Sequence, residues 1–104
     1  MLPCPAQSQP EMTAQSWADF DKADKELNTV YQKVLKSMVD DIARQKLIAA
    51  QKAWVKFRDA QAEVDADSER GGSLANQLLA ISETDATKVR IAELKKYLGD
   101  QDGK

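Results

Sequence analysis

Histidine is absent from this chain of 104 residues, and cysteine occurs once, as Cys4. The lack of histidine removes the commonest general base and the commonest metal ligand of proteins. A single cysteine excludes an intrachain disulfide and a zinc site built from cysteine alone. The sequence also lacks a phosphate-binding loop of the Walker type. We therefore expect neither enzymatic activity nor a cofactor.

Proline is confined to Pro3, Pro5 and Pro10, and only four glycines are present. The rest of the chain therefore contains no proline ring that would break a helix. No run of about eighteen apolar residues occurs, so we expect no transmembrane segment. Residues 1–4 are too short for a complete signal peptide. We expect either a cytosolic protein or an exported protein without its leader.

Charges of both signs are interspersed along the chain, with 15 basic and 17 acidic side chains and a formal net charge of −2. No block of lysine and arginine is present that could follow a phosphate backbone, so we do not expect nucleic-acid binding. Hydrophobic residues make up 42% and charged residues 31% of the chain. This composition and length are typical of one small globular domain with a single core.

Apolar residues recur at helical spacing in two segments of the first two-thirds of the chain. We expect the first helix to be capped by Thr13. Its inward rows hold Phe20, Ala23, Asp24, Leu27, Val30, Tyr31, Val34 and Met38. A turn between Ser37 and Asp41 should separate it from a second helix that ends near Asp67. The inward residues of the second helix are expected to be Leu47, Ala50, Trp54, Phe57, Gln61 and Val64.

The pair Gly71-Gly72 marks the clearest break, and Ser73 suits the cap of a third helix from about Leu74 to Leu98. Its apolar positions are Leu74, Leu78, Ile81, Ile91, Leu94 and Leu98. The polar segment 82–87 leaves open whether this helix is continuous. We expect an all-α, antiparallel three-helix bundle with up-down-up topology. An irregular arm (1–10) and a frayed tail (99–104) should flank one domain of residues 11–98.

Asp24 lies on an apolar row of the first helix. A carboxylate at that depth would cost on the order of several kcal/mol unless it is paired. Arg58 is the expected partner and Arg90 the other candidate, because a planar guanidinium can donate two bonds to one carboxylate. We interpret the polar residues on the buried rows as a structural network that fixes helix register, with a ligand site as the alternative. Its expected members are Asp24, Asn28, Tyr31, Gln51, Trp54, Arg58, Asp59 and Arg90.

An acidic run leads into the glycine pair. Glu63 and Asp67 are spaced i, i+4, but two carboxylates without further oxygen ligands do not make a metal site. The segment 65–73 is instead a candidate partner-binding loop, which could meet a basic partner through complementary charge. Its candidate contact residues are Asp65, Asp67, Glu69, Arg70, Gly71, Gly72 and Ser73.

Two segments, ADKELNTVY at residues 23–31 and AQKAWVKFRDA at residues 50–60, carry a family resemblance. Together with Gly71-Gly72-Ser73, Thr87, Arg90, Leu94 and Tyr97-Leu98, they resemble the LprI-like family. Those are small exported bacterial helical proteins named for a lipoprotein that inhibits lysozyme. The resemblance runs from about Glu11 to Leu98.

The resemblance implies a periplasmic or secreted binding protein whose partner is lysozyme or another envelope protein. An inhibitor would act by occluding the enzyme cleft, without chemistry of its own, and segment 65–73 is the candidate plug. The alternative is a structural or assembly module of the cell envelope or cytosol that pairs through a helix face. The oligomeric state stays open.

The chain departs from the family in its cysteines. Members typically carry four, apparently in disulfides. Here Cys4 corresponds to the first, while Gln15, Ala62 and Ser82 stand near the positions of the others. Since each disulfide would contribute about 2–4 kcal/mol, this bundle should be held by packing alone. Cys4 itself could be lipidated, paired between chains or free.

Overall fold

The computed structural model describes residues 8–102, with the backbone alone for residues 100–102. Three long helices make up nearly all of this part: α1 (Gln9–Ser37), α2 (Asp41–Ala66) and α3 (Leu74–Asp102). A short 3-10 turn, Asp67–Glu69, follows α2. The expected all-α three-helix bundle is confirmed.

Helix α3 lies between the other two helices and packs on both, whereas α1 and α2 contact each other little. Helices α1 and α3 are parallel, since Gln9 donates to Gln77 near their beginnings and Glu26 pairs with Lys95 further along. Helix α2 is antiparallel to α3. Its late residue Asp65 accepts a hydrogen bond from Ser82 near the beginning of α3. The topology is up-down-up, and no helix within residues 8–102 packs on the outer side of α2.

Helix α1 begins earlier than the Thr13 cap expected from the sequence. Ser8 is the N-cap: its hydroxyl accepts a hydrogen bond from the Glu11 N–H, and the Glu11 carboxylate accepts one from the Ser8 N–H at 2.8 Å. This bond to the Ser8 backbone lowers the pKa of Glu11. Pro10 is tolerated because the first turn of a helix needs no bond from its nitrogen. Of the expected arm, residues 9–10 are helical and residues 1–7 lie outside the described part.

Helix α3 runs without interruption through the polar segment 82–87 and through Gly99. The helix end expected before Gly99 is therefore wrong. Glycine inside a helix costs only about 1 kcal/mol relative to alanine. Gly71 behaves differently: its φ of 83° lies in the left-handed region, where glycine alone is free of strain, and it reverses the chain between α2 and α3. Residues 103–104 of the expected tail lie outside the described residues.

The hydrophobic core lies where the second half of α1 meets α3 and the first half of α2. Leu27, Val34 and Leu94 are its most deeply buried apolar side chains, each no more than 2% exposed. The complete cluster consists of Leu27, Val30, Val34, Leu35, Leu47, Ile91 and Leu94. Leu27, Val30 and Val34 of the rows predicted for the first helix thus lie in the core. Asp24 on the same rows is 39% exposed at its side chain, so its predicted burial is wrong.

The inward row predicted for α2 is only partly right. Leu47 is buried and Trp54 is half-buried, but Phe57 and Val64 are 61% and 67% exposed. Ala50 is exposed as well. The helix instead buries the neighbouring row of Gln51, Arg58, Ala62 and Ala66. Because α2 packs mainly on α3, it can bury only one stripe, and the stripe that carries Arg58 is the one that faces α3. On α3, Leu74 and Ile81 are also more exposed than predicted.

Val34 and Val64 test which residues of the helices are buried and which are exposed. Val34→Ala removes two methyl groups from a fully buried site and should lower the free energy of unfolding by about 2 kcal/mol. Val64→Ala makes the same change on an exposed face and should alter it by less than about 0.5 kcal/mol. Urea denaturation at low protein concentration measures both. Equal losses in the two variants would contradict the described orientation of α2.

Candidate functional site

Arg58 is a buried cation at the meeting point of the three helices, 7% exposed. Its Nη1 lies 3.4 Å from an oxygen of Asp24 on α1. Its Nε lies 3.0 Å from Asp59 Oδ1 on α2 and 2.7 Å from Glu83 Oε1 on α3. One guanidinium therefore contacts carboxylates from all three helices.

Two aromatic rings also lie close to this guanidinium. Its central carbon is 5.1 Å from the centre of the Phe20 ring and 5.2 Å from that of Trp54. Rings at this distance attract a cation by about 0.5–2 kcal/mol, with the larger values at desolvated sites. Phe20 and Trp54 thus partly replace the water that the guanidinium loses on burial.

Arg90 on α3 forms a second branch of the same network. Its Nε donates to the side-chain oxygen of buried Gln51 at 2.9 Å, and its Nη1 pairs with Glu93 at 3.3 Å. The Arg90 guanidinium lies 5.7 Å from the Trp54 ring. Trp54 therefore stands between two cations and links the α2 and α3 sides of the network.

Glu83 is the most deeply buried of the three carboxylates, with a side chain that is 10% exposed. The Arg58 Nε–H is aligned with Asp59, so Glu83 Oε1 has charge attraction but no aligned hydrogen bond among the described residues. Burial raises the pKa of Glu83 to about 7. Asp59 raises it as well, because protonated Glu83 can donate a hydrogen bond to the Asp59 carboxylate, while the charge of Arg58 opposes the rise. Three carboxylates share one guanidinium, and Glu83 is the one that takes up a proton near neutral pH.

Thr87 completes the buried part of the network and is fully buried. Its hydroxyl donates to the Glu83 backbone carbonyl at 2.7 Å and accepts a bond of 3.4 Å from Arg58 Nη1. The polar segment 82–87, which looked like a break in the sequence, therefore supplies partners of the buried arginine. Glu83 and Thr87 face the buried cation, whereas Asp85 of the same segment is exposed.

The structure brings six of the eight predicted network residues together: Asp24, Gln51, Trp54, Arg58, Asp59 and Arg90. Asn28 is exposed on α1, and Tyr31 packs against the hydrophobic core. Within residues 8–99 neither makes a side-chain hydrogen bond to the two arginines. Sequence reasoning missed Phe20, Glu83 and Thr87 as members. The i, i+4 spacing of Glu83 and Thr87 within an otherwise helical segment was the available signal.

The connection between α2 and α3 (residues 65–73, hereafter the α2–α3 connection) forms one end of the bundle. Arg70 is 80% exposed at its side chain and makes a surface ion pair of 3.2 Å with Asp67. The Gly72 N–H donates to the Glu69 carbonyl at 2.8 Å. Beside the connection lies an open pocket of about 300 Å³. It is lined by Glu63, Ala66, Asp67, Arg70, Gly71, Ala75, Asn76 and Leu79.

Asp65 differs from the other acidic residues of this connection. Its carboxylate accepts hydrogen bonds from Ser82 at 2.7 Å and from Gln61 at 3.0 Å. The bond from Ser82 is the main cause of the lowered pKa of Asp65, and the bond from Gln61 adds to it. Asp65 thus ties the connection to α3, whereas Asp67, Glu69 and Arg70 extend into solvent.

Among the residues that the structure describes, no group of three or more acidic, cysteine or histidine side chains is suited to holding a metal ion. Over the same part, no helix is both long enough and apolar enough to cross a bilayer.

The raised pKa of Glu83 predicts a pH-dependent stability. Between its ordinary value of 4.5 and about 7, the folded state binds more protons than the unfolded chain. The protonated form of Glu83 therefore stabilises the folded state; this contribution to the free energy of unfolding is complete below pH 4.5 and is lost as the pH rises through 7. The loss should be on the order of 2–3 kcal/mol. Glu83→Gln mimics the protonated acid, so it should match the native chain at pH 5 and exceed its stability at pH 8.

Denaturant titrations at several pH values measure this difference. No histidine titrates in this pH range, because the chain has none. Glu69→Gln, a change of the same kind on the exposed connection, should leave the pH profile as it is. Parallel profiles for the native chain and Glu83→Gln would rule out the raised pKa.

Removing the shared cation should be costly because it leaves Glu83 buried without a partner. Arg58→Ala is expected to lower the free energy of unfolding by about 3–5 kcal/mol at pH 8. The double variant Arg58→Ala/Glu83→Gln should recover part of that loss, because the orphaned charge is gone. Arg70→Ala, at an exposed arginine, should cost less than about 0.5 kcal/mol. A small loss in Arg58→Ala, similar to that of Arg70→Ala, would contradict the network.

Comparison with known proteins agrees with this architecture. The family model described as lysozyme inhibitor LprI matches residues 4–94. The uncharacterized protein R02472 of Rhizobium meliloti (strain 1021) is 33% identical over an alignment of 105 residues, gaps included. The alignment covers 89% of this chain and 76% of that protein. No solved structure gives a significant match. Since the family model spans most of the chain, this protein belongs to the LprI lysozyme inhibitor family.

Proposed function

We propose that the protein is an exported, non-enzymatic binding protein that inhibits lysozyme by occluding its cleft. Membership of the LprI family supports lysozyme as the partner. The observation that carries the occlusion mechanism is the exposed α2–α3 connection. Arg70, Gly71 and Gly72 form its outer part, hereafter the tip. No catalysis is needed for this function, because a plug acts only by filling the site.

The tip of the connection has the chemistry that a lysozyme cleft requires. Lysozyme cleaves its substrate with two carboxyl groups that flank the scissile bond. Arg70 offers a planar guanidinium, which binds carboxylates through paired hydrogen bonds. Its present ion pair with Asp67 lies on the surface, where such pairs contribute only about 0–1 kcal/mol. Arg70 is therefore free to exchange Asp67 for a carboxylate of the enzyme.

The shape of the tip also suits entry into a cleft. Gly71 and Gly72 follow Arg70 directly, and a side chain added at Gly71 would meet no neighbouring atom within 4 Å. The tip is thus narrow and open on its outer side. A bulky residue at this point would widen it and obstruct insertion.

Acidic residues around the tip would face the rim of a basic enzyme. Glu63, Asp67 and Glu69 are exposed on and beside the connection. Opposite charge on two partners speeds their association and fixes orientation more than it adds affinity. Because the formal net charge of the chain is only −2, this local cluster would provide most of the attraction.

The buried network supports the proposed plug mechanically. Arg58 holds α2 against α3 through Glu83, and Asp65 holds the last turn of α2 against Ser82. Both helices that carry the connection are therefore fixed relative to each other. A binding segment held in one arrangement loses less conformational entropy on binding than a free loop.

A lysis assay tests the proposal. At micromolar concentration the purified protein should slow the clearing of a bacterial cell-wall suspension by a c-type lysozyme. Arg70→Ala should raise the concentration needed for half-inhibition about tenfold or more, which corresponds to about 1.4 kcal/mol of binding. Lys33→Ala removes a positive charge from an exposed site on α1 and should inhibit as the native chain does.

Different results of this assay test lysozyme as the partner and the α2–α3 connection as the inhibiting segment. Failure to inhibit any class of lysozyme would refute the proposed function. Inhibition that is equally strong in Arg70→Ala and in Gly71→Trp would show that the α2–α3 connection is not the plug. Circular dichroism confirms that the variants are folded.

A further inference from the structure

The side of α2 that faces away from α3 carries an apolar row, hereafter the outer face of α2. It consists of Ile42, Ala49, Ala53, Phe57, Ala60 and Val64, all exposed. Their spacing of three, four or seven residues places them on one side of the helix. Ile42, Phe57 and Val64 are 66%, 61% and 67% exposed. Since α2 packs on α3 through its opposite side, nothing in residues 8–99 covers this face.

Single exposed apolar residues are normal, but a continuous apolar row on a helix marks a docking surface. Exposed Lys46 interrupts the row after Ile42, so its continuous part runs from Ala49 to Val64 and extends about 22 Å along the helix, at 1.5 Å per residue. The three alanines between the larger side chains would allow a second helix to approach at the short end of the usual 8–10 Å range. The face is therefore shaped for another helix.

The charges beside this row identify the helix that fits. Along one edge of the outer face lie Lys52, Lys56, Asp59 and Glu63, basic in the first half and acidic in the second. Within the described residues, the lysines and Glu63 form no ion pair, and Asp59 is half-exposed beside Arg58. When two copies of this edge run antiparallel, the basic half of one therefore faces the acidic half of the other.

We propose that a second copy of this chain packs antiparallel on the outer face of α2, about a two-fold axis next to Phe57. The register that brings Lys52 opposite Glu63 of the second copy also brings Lys56 opposite Asp59. Each contact forms twice because the interface is symmetric. In the same register Ala53 packs between Ala60 and Val64 of the second copy, so the charge pattern and the apolar pattern require one alignment.

A parallel arrangement fits less well. It would set the charged edge against the opposite edge of the second copy, where Lys46, Ala50 and Gln61 lie. No opposite charges would then meet. The antiparallel pair is selected because opposite charges across an interface fix orientation and exclude other registers.

The interface is a single pair of helices, so the association should be weak and reversible. The flanking ion pairs remain near solvent, and salt screens charges there over about 8–10 Å. Dimerisation should therefore weaken as the salt concentration rises. The outer face of α2 and the α2–α3 connection share only Glu63 at their boundary, and dimerisation does not depend on binding to lysozyme.

Sedimentation equilibrium with charge-reversal variants tests this interface. The native chain should associate to dimers in the range of tens of micromolar at low salt. Lys52→Glu and Glu63→Lys should each raise the dissociation constant about tenfold or more, because two contacts between like charges form in place of two ion pairs. The double variant Lys52→Glu/Glu63→Lys should restore association, because the same pairs re-form with their signs exchanged.

Lys33→Glu, which reverses an exposed charge on α1, is the matched control and should dimerise as the native chain does. Phe57→Glu should abolish the dimer by placing like charges at the axis. All four sites are exposed, so circular dichroism should show unchanged helix content in the five variants. A native chain that stays monomeric at millimolar concentration would overturn the proposal. So would a double variant that associates no better than the two single variants.

Discussion

A guanidinium placed where three helices meet must be surrounded by groups that compensate its charge, because a buried charge without a partner costs on the order of 3–5 kcal/mol. In this protein that requirement determines the arrangement of α2. Arg58 faces α3, where Glu83 and Thr87 lie. With α2 rotated in this way, Phe57 and Val64 face solvent, although both are apolar. The polar interior and the apolar exterior of α2 are two consequences of one buried cation.

The same arrangement accounts for a bundle held together without disulfides. Asp24, Asp59 and Glu83 bring one carboxylate from each helix to Arg58. We propose that a cation shared in this way holds the helices in one register, as a cross-link would. It also leaves more negative than positive charge at the site, and protonation of Glu83 reduces that excess near neutral pH. The two surfaces to which we assign binding, the α2–α3 connection and the outer face of α2, are both on elements that this network fixes.

Much of the fold follows from the sequence, because the periodicity of Leu27, Val34 and Leu94 and the break at Gly71-Gly72 are local signals. The contact between Asp24 and Arg58 was also predictable, but the depth of Asp24 was not, because the side chain is 39% exposed although it lies on an apolar row. The exposure of Phe57 was not, because α2 carries two apolar rows and periodicity does not tell which one meets α3. Glu83 was missed because its segment is polar enough to resemble a loop. The start of α1 was misplaced because Pro10 was interpreted as part of an irregular arm.

The most direct test is the titration of Glu83 itself, followed by carbon-13 NMR of the side-chain carboxyl groups. The Glu83→Gln variant assigns the resonance, because its signal disappears from the spectrum. If three carboxylates share the buried guanidinium as described, Glu83 should titrate with a pKa of about 7. A midpoint near the ordinary value of 4.5 would contradict the burial of Glu83 in a site where three carboxylates share one guanidinium.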